Sequence, residues 1–211
     1  MLVLLDTSTD LRTCAAELRC PVEQLLTPLT RFHAQYPAEH FAIDNGAFSR
    51  FDRAAFLALL KREAERKALC RFVAVPDVVG SARRTLECFH DWWASTALQG
   101  WPLALVAQDG QEHLEIPWAL CAAVFIGGST TWKLSPHAAH IIKAAKIFDK
   151  WVHVGRVNDP GRFEYFGGLG ADSIDGTGLA QYTHMREAIY QHDTAPRLFP
   201  NESDKRPSEH G

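Results

Sequence analysis

No apolar run in this sequence reaches the roughly 18 residues that a membrane-spanning helix needs. The opening stretch, MLVLLDTSTD, gives a short apolar run followed by an acidic turn, unlike a signal peptide, so a cytoplasmic protein with no membrane partner is expected. Positive charge is not in excess either: 22 Lys and Arg stand against 25 Asp and Glu, for a formal charge of −3. Charge alone therefore does not advertise nucleic acid, although a local basic surface is compatible with that total. The five cysteines, Cys14, Cys20, Cys70, Cys88 and Cys121, are odd in number and widely spaced, which excludes a disulfide framework and a CxxC zinc knuckle. They read as reduced, mostly buried small hydrophobes. What the chain does have is 211 residues at 46% hydrophobic content, enough for one sizeable core, and no seam between two.

Short runs rich in Val, Ile, Leu and Phe alternate with longer amphipathic segments, the pattern of βα units. Strands are expected at Leu2–Leu5, Phe41–Asp44, Phe72–Val75, Leu103–Ala107, Ala123–Ile126, Val152–Val154 and Asp172–Ile174. Their continuous apolar character suits strands buried on both faces. Helical spacing runs through Val22–His33, Arg53–Leu69, Ser81–Leu98, Pro136–Phe148, Pro160–Leu169 and Leu179–Gln191. In the second of these, Phe56, Leu59, Leu60, Ala64 and Ala68 share one face, while Lys61, Arg62, Glu65 and Arg66 share the other.

These units predict a single α/β domain, a (β/α)8-type TIM barrel that is short for its class, with an irregular or missing eighth strand. An open doubly wound sheet fits the same alternation, but it usually carries a glycine-rich turn after its first strand, and here Leu5 is followed by Asp6-Thr7-Ser8. The barrel is expected over residues 1–193, and residues 194–211, polar and proline-containing without period, read as a flexible tail.

The strand exits carry the chemistry. They are Asp44-Asn45-Gly46, Pro76-Asp77, Gln108-Asp109-Gly110, Gly127-Gly128-Ser129, Gly155-Arg156-Val157-Asn158 and Asp172 through Gly176. Each alone is also an ordinary turn sequence; six together suggest one pocket, because parallel barrel strands all end on the same rim. Asp44, Asp77, Asp172 and Asp175, with Asp109 beside them, put carboxylates there. Converging carboxylates suit chemistry at a sugar anomeric carbon, one attacking the carbon and another moving protons. The same acids could hold a divalent cation. His153 lies within a strand, either as a packed core histidine or as a pocket ligand, and His137 and His140 share a helix face and read as surface. Lys133 and Arg156 follow exits and could clamp a phosphate or ribose oxygen, or pair with a rim aspartate.

Phe41-Ala-Ile-Asp44-Asn-Gly46-Ala-Phe48, Val75-Pro-Asp77, Leu105-Val-Ala-Gln108-Asp-Gly110, Phe125-Ile-Gly127-Gly128-Ser129, His153-Val-Gly155 and Gly170-Ala-Asp172-Ser-Ile-Asp175, in that order, resemble the tRNA-guanine transglycosylases. The likeness is closest to their shorter relatives, the deazapurine DNA-modification transglycosylases, and spans roughly residues 40–178. It implies a (β/α)8 pentosyltransferase that exchanges guanine in a polynucleotide for a 7-deazaguanine base through an aspartyl intermediate.

By motif, the resemblance makes Asp175 the nucleophile and Asp44 the general acid/base. It makes Asp77 and Gln108, with the backbone of Gly127 and Gly128, the clamp on the purine edge. Gly155, Arg156, Lys133 and Asp172 complete the expected substrate contacts. Phe48 could stack on the base or belong to the core. No cysteine follows Cys121, so the family's zinc subdomain is absent, and Asp175 is followed by Gly-Thr-Gly-Leu rather than an arginine-rich segment. Those departures favour DNA over tRNA. No cofactor and no metal are expected. The expected partners are DNA or RNA and a free purine or 7-deazapurine base, with room for an accessory protein and for a homodimer. A hydrolase that releases the base and a non-catalytic purine-binding module are the alternatives, and a metal-dependent barrel enzyme is a weaker one. Asp44 and Asp175 are expected to face each other across the mouth, near the ~5 Å of a retaining pair or opened for a base.

Overall fold

Eight parallel strands close into a barrel in sequence order in the computed structural model, which describes residues 1–6, 10–29, 36 and 38–194, the last two by backbone alone. The strands are β1 (Leu2–Leu5), β2 (Val22–Leu26), β3 (Phe41–Ile43), β4 (Cys70–Ala74), β5 (Leu103–Ala107), β6 (Ala123–Ile126), β7 (Trp151–Val154) and β8 (Ser173–Asp175). Around them lie α1 (Leu11–Leu18), α2 (Arg53–Arg62), α3 (Ala82–Trp93), α4 (Thr130–Lys133), α5 (Pro136–Ile147), α6 (Pro160–Gly168), α7 (Thr177–Gln181) and α8 (Thr183–Thr194). Closure is made by β1 against β8, with Leu4 opposite Asp175. The expected barrel is present, and the strand that seemed to be missing is β2.

The segment from Val22 was expected to be helical, and this is corrected: Val22–Leu26 is a strand between β1 and β3, while residues 30–33 lie outside the described residues. The reason is alternation. Leu25 joins the barrel interior and Leu26 the outer layer. Glu23 reaches Arg71 on β4 with two short hydrogen bonds, 2.7 and 3.0 Å. A polar residue paired inside a barrel breaks the apolar run by which strands are recognised.

Conversely, Leu11–Leu18 is a helix where no element was expected. Asp10 caps it by accepting from the Arg12 N–H at 3.0 Å, and Leu11, Cys14 and Leu18 bury one face. The long segment Arg53–Leu69 divides into α2 and a six-residue 3-10 turn, Ala64–Leu69.

Two apolar layers hold the fold. Inside the barrel, Leu2, Leu4, Leu25, Ala42, Phe72, Ala74, Ala104, Val106, Ala123 and Phe125 fill the lumen. Outside, the opposite face of each strand packs on the helices in a larger core. All five cysteines are free, with Cys14, Cys70 and Cys121 buried. No helix among the described residues is long and apolar enough to cross a membrane. Of the expected tail, Thr194 ends α8 and residues 195–211 lie outside the described residues.

Candidate active site

Strand parity builds the site. Side chains two residues apart point to the same face, so extending the lumen residues by one step beyond each strand gives the mouth. Leu4 leads to Asp6, Leu25 to Thr27, Ala42 to Asp44, Val106 to Gln108, Phe125 to Gly127, His153 to Gly155 and Ser173 to Asp175. All seven of those endpoints line one cavity of about 220 Å³, together with Asn45, Phe48, Asp77 and Arg156. The cavity thus has an apolar floor of Leu4, Leu25, Val106 and Phe125 and a polar rim.

Asp44 and Asp175 both face this space. Loss of solvation pushes the Asp44 carboxyl up to about 7, and the nearby charges of Asp175 and then Asp77 push in the same direction, against a hydrogen bond from the Gly46 N–H. Asp175, by contrast, has donors on both oxygens. The Arg156 N–H reaches Oδ1 at 3.0 Å and the His153 ring Nε2 lies 2.9 Å from Oδ2.

Asp77 is held by two amides: Asn45 Nδ2 donates to Oδ1 at 2.8 Å and Gln108 Nε2 donates to Oδ2 at 2.6 Å. Burial pushes this carboxyl up and those hydrogen bonds pull against it. Asn45 is fixed in turn by the Val75 carbonyl at 2.9 Å, and Gln108 Oε1 accepts from the Gly80 N–H at 3.1 Å. The result is a fixed edge of alternating donors and acceptors on one side of the cavity.

Glycine is required where the rim is closest to the lumen. A Cβ on Gly155 would stand 2.7 Å from the Phe125 ring and 3.3 Å from Asp175 Oδ2, and one on Gly127 would stand 2.7 Å from Val106. Gly155→Ala is therefore expected to lose about 1–3 kcal/mol of stability by overpacking, read from urea unfolding. A variant as stable as the parent would contradict this packing.

Arg156 follows in the left-handed region, φ 60°, unusual for a side-chain-bearing residue and common where function constrains the backbone. Its Nη2 donates to the carbonyls of Gly127 and Gly128, both at 2.8 Å, and its guanidinium lies 4.2 Å from the centroid of the Phe48 ring. Phe48 is 63% exposed at the mouth, outside the core.

Three expected contacts are placed elsewhere. Lys133 is 2% exposed and absent from the cavity lining, and its ammonium donates to the Gly155 carbonyl. Burial, followed by the Arg156 charge, lowers its pKa to about 8. Asp172 precedes β8 and so lies at the opposite mouth, where Lys146 binds both its oxygens at 2.8 and 2.7 Å. It does not join the cavity. Gly128 also stays outside the lining; a Cβ there would meet Asp109 and Trp132 at 2.6 Å. Asp109 ties two loops together by accepting from the Ser129 N–H and hydroxyl, at 2.6 and 2.5 Å.

His137 and His140 are exposed on α5. Among the described residues no group of three or more His, Cys, Asp or Glu is arranged to hold a metal ion. Asp6, Thr27 and Asn45 are site residues that the sequence reading did not assign. Asn45 stood within the first exit motif, whereas Thr27 was hidden by the helical reading of β2.

Fold and mouth together define a parallel (β/α)8 barrel with an acidic, one-cavity site at the carboxyl ends of its strands. The chain is similar to the Amycolatopsis orientalis BexX/CysO complex structure, with a TM-score of 0.54 and 13% identity over 90% of this chain and 86% of that one. It is also similar to the tryptophan synthase α-subunit of Pyrococcus furiosus, with a TM-score of 0.52 and 13% identity over 92% and 95%. At such identities the likeness establishes the fold. No protein-family model matches the chain, and neither does any curated protein sequence.

Proposed function

We propose that the chain is an enzyme, a pentosyltransferase that exchanges guanine in a polynucleotide, DNA before tRNA, for a 7-deazaguanine base. The observation that carries this reading is the placing of Asp44 and Asp175 on one cavity beside the Asp77–Gln108 edge. Asp175 attacks C1′ of the target sugar, forming an ester bond as the C1′–N9 bond breaks. The bonding electron pair leaves with guanine, which takes a proton from Asp44. In the second half the incoming base gives its N9 proton back to Asp44 and its electron pair to C1′, and Asp175 departs as carboxylate. Two displacements on one carbon retain configuration.

The recognition edge fits guanine. Its N1–H and exocyclic N–H can donate to the remaining lone pairs of Asp77, beside the Asn45 and Gln108 donors, whereas adenine would set an acceptor against that carboxylate. A cavity of about 220 Å³ is of a size to receive an unstacked base, and the stem of the polynucleotide stays outside. The exposed Phe48 ring offers it a stacking face.

Incubation with guanine-containing single-stranded DNA and radiolabelled guanine tests the proposal. Label entering the polymer is the expected result. Release of unlabelled guanine without incorporation would make the chain a hydrolase instead. Neither release nor incorporation with DNA, tRNA or guanine nucleosides would overturn glycosyl chemistry altogether.

A further inference from the structure

The layer of the lumen below Asp175 is largely apolar, built of Leu4, Leu25, Phe72, Val106 and Phe125, but it holds one polar ring, that of His153, beside the Ser173 hydroxyl. His153 sits among them, fully buried, 5.0 Å from the centroid of the Phe72 ring and 4.5 Å from that of Phe125. A hydrocarbon would fill that volume without the cost of burying a polar ring. The imidazole is satisfied from both sides: Nδ1 lies 2.9 Å from Ser173 Oγ and Nε2 lies 2.9 Å from Asp175 Oδ2.

The direction of this chain of hydrogen bonds can be worked out. Trp151 Nε1 lies 2.9 Å from the same Ser173 oxygen, and an indole N–H can only donate. Ser173 accepts that bond with one lone pair and can still either donate to or accept from His153 Nδ1. The direction is set at the other nitrogen, where the Asp175 carboxylate can only accept; in a neutral ring Nδ1 then takes the Ser173 hydroxyl proton. The ring proton then sits on Nε2 and is donated to Asp175. On the other carboxylate oxygen a second relay ends: the Lys133 ammonium binds the carbonyl of the Gly155–Arg156 peptide, and the N–H of that same peptide donates to Asp175 Oδ1. Hydrogen bonds in series polarise one another, so each oxygen is oriented from behind by a buried donor.

We propose that His153, held as its Nε2–H tautomer between the Asp175 carboxylate and the Ser173 hydroxyl, is a positioning residue that turns the attacking lone pair of Asp175 toward the sugar carbon. This rests on the reading of Asp175 as the nucleophile. His153 touches no substrate; it fixes the rotation of the carboxylate about its last bond, the geometry on which a near-attack arrangement depends.

Two measurements test it. Nitrogen-15 NMR of the substrate-free full chain reads the tautomer: a neutral ring protonated on Nε2 is expected, and a ring protonated on Nδ1, or on both nitrogens, overturns the relay. Kinetics read its effect. His153→Phe, which suits the surrounding aromatic rings, is expected to lower kcat about 100-fold while KM for the free base changes less than about 3-fold. His153→Gln, which keeps an N–H donor, should recover at least about tenfold of that loss. Should the phenylalanine variant not fold, Ser173→Ala is expected to lower kcat about tenfold, with Ser173→Thr near the parent. An active wild type with unchanged kcat in folded His153→Phe or Ser173→Ala overturns the positioning role alone. A wild type that makes no glycosyl transfer or hydrolysis overturns the functional reading beneath it, whatever the tautomer proves to be.

Discussion

Asp175→Asn is expected to slow base exchange by at least about 10³-fold, the scale on which loss of a covalent nucleophile acts. The protein-bound sugar should disappear with it. When the wild type is denatured in mid-reaction, mass spectrometry should find the nucleotide esterified to the peptide that carries residue 175, and the asparagine variant should show none. The substitution is nearly isosteric, and an amide oxygen can still accept from the Arg156 N–H that now reaches Oδ1 at 3.0 Å. The amide nitrogen would then face the His153 Nε2–H, so a loss of about 1–3 kcal/mol in urea unfolding is expected, and a variant still folded under assay conditions separates a chemical loss from a structural one. An asparagine variant that exchanges base at the wild-type rate, or an adduct on another residue, would remove Asp175 from the reaction.

Asp44 predicts the larger pH effect. Its carboxyl titrates at about 7 in the folded chain against an ordinary 3.8, chiefly because it is desolvated and then because Asp175 is close. On the proposed reading the acid form protonates departing guanine, so single-turnover base release should decline as pH rises through about 7. Asp44→Asn should flatten that limb and lower the rate about 10²–10⁴-fold.

Stability should fall with rising pH as well, and it is there that the asparagine variant gains on the parent. With the folded pKa above the unfolded one, the native state binds the extra proton in the window between them, so this group's contribution is full below about pH 4 and is lost as pH rises to about 7. At about 1.4 kcal/mol per unit, the loss is on the order of 4 kcal/mol. Asp44→Asn has no such titration and should be more stable than the parent at about pH 8, with the difference shrinking toward pH 4. Urea midpoints at the two ends of that range check the sign; a variant that is destabilised equally at both would show that Asp44 is not held protonated.

Much of the barrel was legible because seven strands advertise themselves as runs of Val, Ile, Leu and Phe. The exception, β2, was concealed by Glu23 and Gln24: Glu23, on the lumen side with Leu25, is neutralised by Arg71, and Gln24, on the outer side with Leu26, is buried there. Long-range pairing of this kind has no local signature. The mouth was legible for a simpler reason: once strand ends are fixed, parity alone brings Asp44, Gln108, Gly127, Gly155 and Asp175 inward. The same rule explains the error at Asp172. Reading β8 as Asp172–Ile174 instead of Ser173–Asp175 shifts its end by one residue, and that aspartate then lies beyond the foot of the strand, against Lys146. Lys133 misled differently, since a lysine after a strand exit is usually solvated, and only the acceptor at Gly155 allows it to turn inward.

The seam of the barrel has a bearing on how such an enzyme becomes competent. Leu4 and Asp175 are ladder partners, so the residue assigned the attack is aligned by the first strand of the barrel, which lies far from it in sequence. A ribosome-bound intermediate with seven strands in place would carry a recognition edge but no armed carboxylate. On the proposed reading, the nucleophile is completed only when the two ends of the cylinder meet.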